Sequence, residues 1–288
     1  MFVIAGASGK TGGMVAKSLL AQGKKVRVLV RDAKNGAVWR DQGADVALTT
    51  LENQRGLERA LTGAEGFFTL LPDDITVHDF RAHRIRMADA IAAAVKATGV
   101  RHVVVLSTTG AYLSESNGPA KELHYLENLL RANASTVTSV RACYLQENVL
   151  GVLPAARHQG IYPNFMPSAE EPFPTVATKD VAKVVVRSLL EPPPKSEIID
   201  LLGPTYSIHQ LAEGLGARLG KDLRIVDVPP RAHVEALTQA GLPKSCAEAF
   251  AEMFACVASG RISPHGDRML TGATKLDETL AERLPVNA

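Results

Sequence analysis

A chain of 288 residues, 46% hydrophobic and 22% charged, has the composition of a folded globular protein of one large domain or somewhat more. A formal charge of +2 excludes the strong field that a nucleic acid or an anionic membrane surface would call for. The three cysteines, Cys143, Cys246 and Cys256, are odd in number and lack metal-ligand spacing, so they read as reduced thiols of a cytoplasmic protein without a metal site.

The first strand pattern begins at Phe2, so no signal peptide is expected, and no apolar run is long enough to span a bilayer. Short apolar runs at Phe2–Ala5, Lys25–Val30, Asp45–Leu48, Gly66–Leu70, His102–Leu106 and Thr136–Arg141 read as strands. Helical patterns lie between them, near 11–22, 33–42, 53–62, 78–98 and 118–132. This alternation predicts an α/β fold: a Rossmann-like, doubly wound parallel sheet covered on both faces. Beyond residue 150 prolines cluster, and the expected elements are a helix at Lys179–Leu190, a strand at Glu197–Leu201 and a helix near Ser207–Leu219. A strand at Leu223–Val228 and helices near 230–240 and 244–259 follow. The chain therefore divides into a nucleotide-binding domain, 1–150, and a smaller α+β region, 151–288, over the cleft. That boundary is soft, because the elements near 176–201 can return to the sheet.

Ligands of such sheets sit at the carboxyl ends of the strands, near the point where strand order reverses. The first such loop is "GASGKTGG", 6–13. Gly9, Lys10 and Thr11 imitate the end of an ATP-binding P-loop, but that motif needs a glycine where Ile4 stands, inside the first strand. Gly6, Gly9 and Gly12 instead fit a dinucleotide loop: a tight turn, a close approach to pyrophosphate, and close packing of the following helix. The amino end of that helix, with Ser8, Lys10 and Thr11, would face the phosphates.

The residue after the second strand separates the two nicotinamide cofactors. "VLVRD", 28–32, puts Arg31 there, with Lys34 beyond, and Lys10 can reach the same corner. A guanidinium suits a 2′-phosphate, so NADP(H) is favoured over NAD(H); the alternative makes Asp32 the ribose ligand and the cofactor NAD. Thr69, Leu70 and Leu71 follow the fourth strand and can touch the cofactor. Ser107, Thr108 and Thr109 follow the fifth, where they can reach the nicotinamide ribose. Tyr144 and Asn148 follow the sixth, at the nicotinamide end.

These pieces together resemble the NmrA-like, atypical short-chain dehydrogenase/reductase family. The matching segments are "VIAGASGKTGG" at 3–13, "VLVRD", "ATGVRHVVVLST" at 97–108 and "VATKDVAKVV" at 176–185. "LLGPTYSIHQLAEGLGARLGK" at 201–221 also matches, and "VRACYLQENVLG" at 140–151 looks like the family's R-x-x-x-x-x-E-N signature. The likeness is greatest to bacterial members of the NAD(P)H:quinone oxidoreductase and triphenylmethane reductase type. It implies an NADPH-dependent oxidoreductase that hands hydride to a quinone-like or dye-like acceptor, as monomer or homodimer. The family also holds non-catalytic NADP(H)-binding redox sensors, which would need a protein partner.

Classical short-chain dehydrogenases use a Tyr-x-x-x-Lys pair. Here Tyr112 is followed four residues later by Ser116, and Tyr125 by Leu129. An acceptor that needs little acid assistance fits that gap. Lys121, near a catalytic lysine of plant relatives, and Tyr144 are the remaining catalytic candidates. His124 and Glu127 share a helix face that could line the cleft.

Overall fold

The strands of the first half carry apolar side chains on both faces, which makes them stable only when helices cover the sheet on each side. Phe2, Ile4, Val28, Phe68, Val104 and Val140 are buried on one face, and Val3, Leu29, Phe67, Val103, Val105 and Val137 on the other. The computed structural model describes residues 1–284.

The chain alternates β1 (Phe2–Ile4), α1 (Lys10–Ala21), β2 (Val26–Val30), α2 (Ala33–Asp41), β3 (Asp45–Leu48) and α3 (Gln54–Leu61). It continues through β4 (Gly66–Thr69), α4 (Phe80–Thr98), β5 (His102–Thr108), α5 (Ala120–Asn133) and β6 (Thr136–Ala142). Then come β7 (Tyr144–Leu145), a 3-10 segment (Gln146–Val152), α6 (Leu153–Gln159), β8 (Ile161–Asn164) and β9 (Phe173–Val176). The last part comprises α7 (Thr178–Leu190), β10 (Glu197–Leu202), β11 (Thr205–Tyr206), α8 (Ile208–Leu219), β12 (Arg224–Asp227), α9 (His233–Gln239), α10 (Lys244–Ala258), β13 (Arg268–Thr271) and α11 (Leu276–Arg283).

Eight strands form one sheet in the order β13-β10-β6-β5-β4-β1-β2-β3, every pairing parallel. The order reverses between β1 and β4, so the crevice opens at their carboxyl ends. α1 and α7 pack side by side on one face, while α3, α4 and α5 cover the other. α7, β10 and β13 come from beyond residue 150 and complete this sheet.

A third core, with Val149, Tyr162, Ile208, Leu211, Leu215 and Leu280, holds a small lobe together. Two short sheets, β11-β9-β7 and β12-β8, belong to it. β7, β8, β9, β11, β13, α6 and α11 were not among the expected elements; they lie in the proline-rich and irregular stretches beyond β6, where no apolar run stands out. Among the described residues no helix is long and apolar enough to cross a membrane.

Candidate active site at the switch point

The turn after β1 is built by glycine. Gly6 has φ +66°, and its carbonyl accepts the Gly9 amide at 2.9 Å, which closes the turn. A Cβ on Gly12 would lie 2.4 Å from the Gly6 oxygen and 2.5 Å from the Ala5 oxygen, so α1 meets β1 too closely for any side chain there. Gly9 caps α1 with extended backbone and no side-chain hydrogen bond, and the first turn holds no acid. Free first-turn amides at an uncapped helix end, with Ser8, Gly9 and Lys10 exposed beside them, can receive an anion.

Lys10 is the first residue of α1. Partial burial lowers its pKa; the Glu147 carboxylate works against that shift, and the Arg283 guanidinium adds to it. Both charged groups that act on Lys10 come from beyond β6 in the chain.

At the end of β2, Asp32 is engaged by the helix it starts. One oxygen accepts the Asn35 amide at 2.8 Å and the other the Asn35 side chain at 2.7 Å. These bonds hold its pKa below the usual carboxylate range. Arg31, with three-quarters of its side chain exposed, and the exposed Lys34 are left facing outward.

The loop after β4 is tied down by a residue the sequence reading passed over. Arg84 of α4 is 1% exposed and donates to the Leu71 carbonyl at 2.9 Å, the Asp73 carboxylate at 2.6 Å and the Pro119 carbonyl at 3.1 Å. Glu122 lies 3.7 Å away. One guanidinium thus joins the loops that follow β4 and β5, and the pairing offsets the cost of burying it. Its signal was present in the sequence: Phe80, Arg84, Met87 and Ile91 fall on one buried helical stripe, where an arginine is out of place.

Two buried hydroxyls at the carboxyl ends of neighbouring strands, Thr69 Oγ1 on β4 and Ser107 Oγ on β5, have no partner among the described residues. Buried polar atoms are normally satisfied, so such a pair suits a polar ligand or water. Thr108 stands half-buried beside Ser107. Leu70 packs against the turn, where a Cβ on Gly6 would come within 2.8 Å of it. The fit is that of a dinucleotide: an amide cradle, a cation at the β2 corner and free hydroxyls further along.

After β6 the R-x-x-x-x-x-E-N segment divides its work. Arg141 pairs with Glu127 at 3.0 and 2.6 Å, so Glu127 is a buried counter-ion and not a lining group. Gln146 donates to the Thr274 carbonyl at 3.0 Å and accepts from Thr279 at 2.5 Å. Glu147 accepts the Thr178 amide, at 3.1 Å to each oxygen, and the Thr178 hydroxyl, holding the amino end of α7. Only Asn148 of this trio is exposed.

Tyr144 stands edge-on to Phe173, with ring centres 5.3 Å apart, beside Tyr162. Burial pushes its phenol up to about 12. Lys121 is exposed at the start of α5. His124 is held between the Ala111 carbonyl at 2.8 Å and Asn128 at 2.9 Å. None of the chain's five tyrosines has a lysine four positions on. Among the described residues no cluster of His, Cys, Asp or Glu is arranged to hold a metal.

The model of the NmrA-like family matches residues 1–282. The chain belongs to the NmrA-like family. An NAD(P)H azoreductase of Xenophilus azovorans is 27% identical to this NmrA-like chain over 256 residues, covering 88% of the chain and 86% of the relative. Quinone oxidoreductase 2 of Escherichia coli (strain K12) is 25% identical, over 88% of the chain and 86% of its own length. Among solved structures, Citrobacter sp. triphenylmethane reductase complexed with NADP(H) superposes with a TM-score of 0.79. The match covers 99% of this chain and 100% of that one, at 22% identity, and shows the common fold.

Proposed function

We propose that the chain is an NADPH-dependent oxidoreductase that delivers hydride to a quinone-like or dye-like small molecule. One observation carries the cofactor choice: Asp32 is occupied in capping α2, while Arg31 beside it, three-quarters exposed and 3.7 Å from Asp74 with no hydrogen bond, can turn to a ligand at the end of β2. A guanidinium there can meet a 2′-phosphate with two parallel hydrogen bonds. The first-turn amides of α1 would hold the diphosphate, with Lys10 beside them. Thr69 and Ser107 offer their unpartnered hydroxyls to the ribose and nicotinamide side, and Leu70, Leu71, Thr108 and Asn148 would line the path between.

The bound nicotinamide supplies the hydride. The protein supplies orientation and exclusion of water. No tyrosine of the chain is followed four residues later by a lysine, and the Tyr144 phenol, pushed up to about 12, is a poor proton donor. Acceptors that draw hydride strongly and take their proton from solvent suit such a site, and the names of the azo- and quinone-reducing relatives agree with that class. Lys121 is exposed at the start of α5 and offers only a charge.

The test follows NADPH fluorescence on adding the protein, then a panel of quinones and azo dyes. Binding followed by acceptor-dependent loss of the signal is expected. Tight binding with no turnover on any acceptor would sink the reductase reading in favour of an NADP(H) sensor.

A further inference from the structure

Asp74 sits where the charge at the β2 corner is decided, yet the cofactor reading gives it no role. Its Oδ2 lies 3.7 Å from the Arg31 guanidinium. Its Oδ1 accepts the Thr76 amide at 3.0 Å and the Thr76 hydroxyl at 2.6 Å. The preceding residue, Asp73, is fixed at 2.6 Å to the buried Arg84. The two acids therefore face opposite ways, one inward to a buried cation and the other outward to an exposed one.

The two partners of the outer pair differ in freedom. The Asp74 side chain is 24% exposed and pinned by Thr76; Arg31 is 75% exposed on a long stem. At 3.7 Å, with no hydrogen bond, the pair is loose, so the guanidinium can turn to an incoming phosphate while the carboxylate stays. A 2′-phosphate on Arg31 would then share its cation with a fixed negative charge a few ångströms beyond.

We propose that Asp74 is a specificity-determining residue that tempers the preference for the 2′-phosphorylated cofactor by competing for Arg31. The inference rests on the reading of Arg31 as the 2′-phosphate ligand. It predicts an unusual sign: removing an acid outside the cradle improves binding of one cofactor and leaves the other alone.

Asp74→Asn is the suitable variant, because the amide oxygen can still accept from Thr76 and hold the turn. Affinities for NADPH and NADH, and for adenosine 2′,5′-bisphosphate and AMP, are measured by titration at low and high salt. NADPH and the bisphosphate are expected to bind about fivefold more tightly to Asp74→Asn at low salt, from Coulomb repulsion across a solvent-exposed gap. NADH and AMP should not change, and the gain should shrink as salt screens it. Weaker NADPH binding would make Asp74 a support for Arg31 and overturn the proposal, as would no change or an equal gain for all four ligands. Arg31→Ala tests the underlying reading separately. If it weakens NADPH by far more than NADH while Asp74→Asn changes nothing, only the competition falls. If it weakens both equally, the 2′-phosphate assignment falls.

Discussion

The sheet half and the small lobe each have an apolar core, but the joints of the small lobe are made by different means from those of the sheet. In the sheet half, packing does the work: apolar faces alternate along each strand, and the cradle of the first turn depends on the missing Cβ of Gly12. Around the small lobe, buried polar groups carry the joints. Gln146 ties the 3-10 segment to α11, and Glu147 holds the start of α7. Apolar packing tolerates loss in proportion to volume. A polar joint fails as a unit, because the remaining partner is left buried without a hydrogen bond.

The largest effect is expected at the joint between β1 and α1. Gly12→Ala would place a methyl 2.4 Å from a backbone oxygen that cannot move aside. Thermal denaturation should show a loss of at least about 3 kcal/mol, and cofactor binding should disappear with it. A variant with wild-type melting and binding would break the close-packing account.

Next is a buried histidine at the far end of the sheet. His102 lies 3% exposed, with Nε2 3.0 Å from Thr138 Oγ1 and no partner for Nδ1. Burial lowers its pKa from 6.5 to about 4. The unfolded chain therefore takes up the proton first. Protonation of His102 contributes nothing above pH 6.5, and stability drops as pH falls from 6.5 toward 4, by about 3 kcal/mol in all. Urea titrations across that range should show this acid slope in the wild type and a flatter one in His102→Gln. Equal slopes would mean that the acid sensitivity lies elsewhere.

Glu147→Gln sharpens the comparison from the other side. The amide can still accept from Thr178, but the charge opposite Arg283, 3.9 Å away, is gone. A loss of about 2 kcal/mol is expected, with small-lobe segments cut first in limited proteolysis. Uniform cutting across both halves would show that Glu147 is no special joint.

The smallest effect is chemical silence. All three cysteines are buried, and burial raises Cys143 to about 12 and Cys246 to about 11. Thiol reagents should leave the native protein unlabelled at neutral pH and label it fully in denaturant. Fast labelling of the native protein would show that the packing over these thiols opens.

The sequence by itself determined the fold class, the six strands of the first half and the glycine loop. Those features follow from rules that act over a few residues: apolar runs, helical spacing, and the absence of a side chain at a fixed offset. Even there, the short edge strand Arg268–Thr271 passed unseen, since four residues with little burial carry no pattern. Only the tertiary structure decided which polar groups are free. It hid Glu127 under Arg141 and set Asp74 against Arg31. Such choices depend on partners far apart in the chain, as when Arg84 reaches Leu71 and Pro119, and no local spacing encodes which of several acids a distant cation will meet.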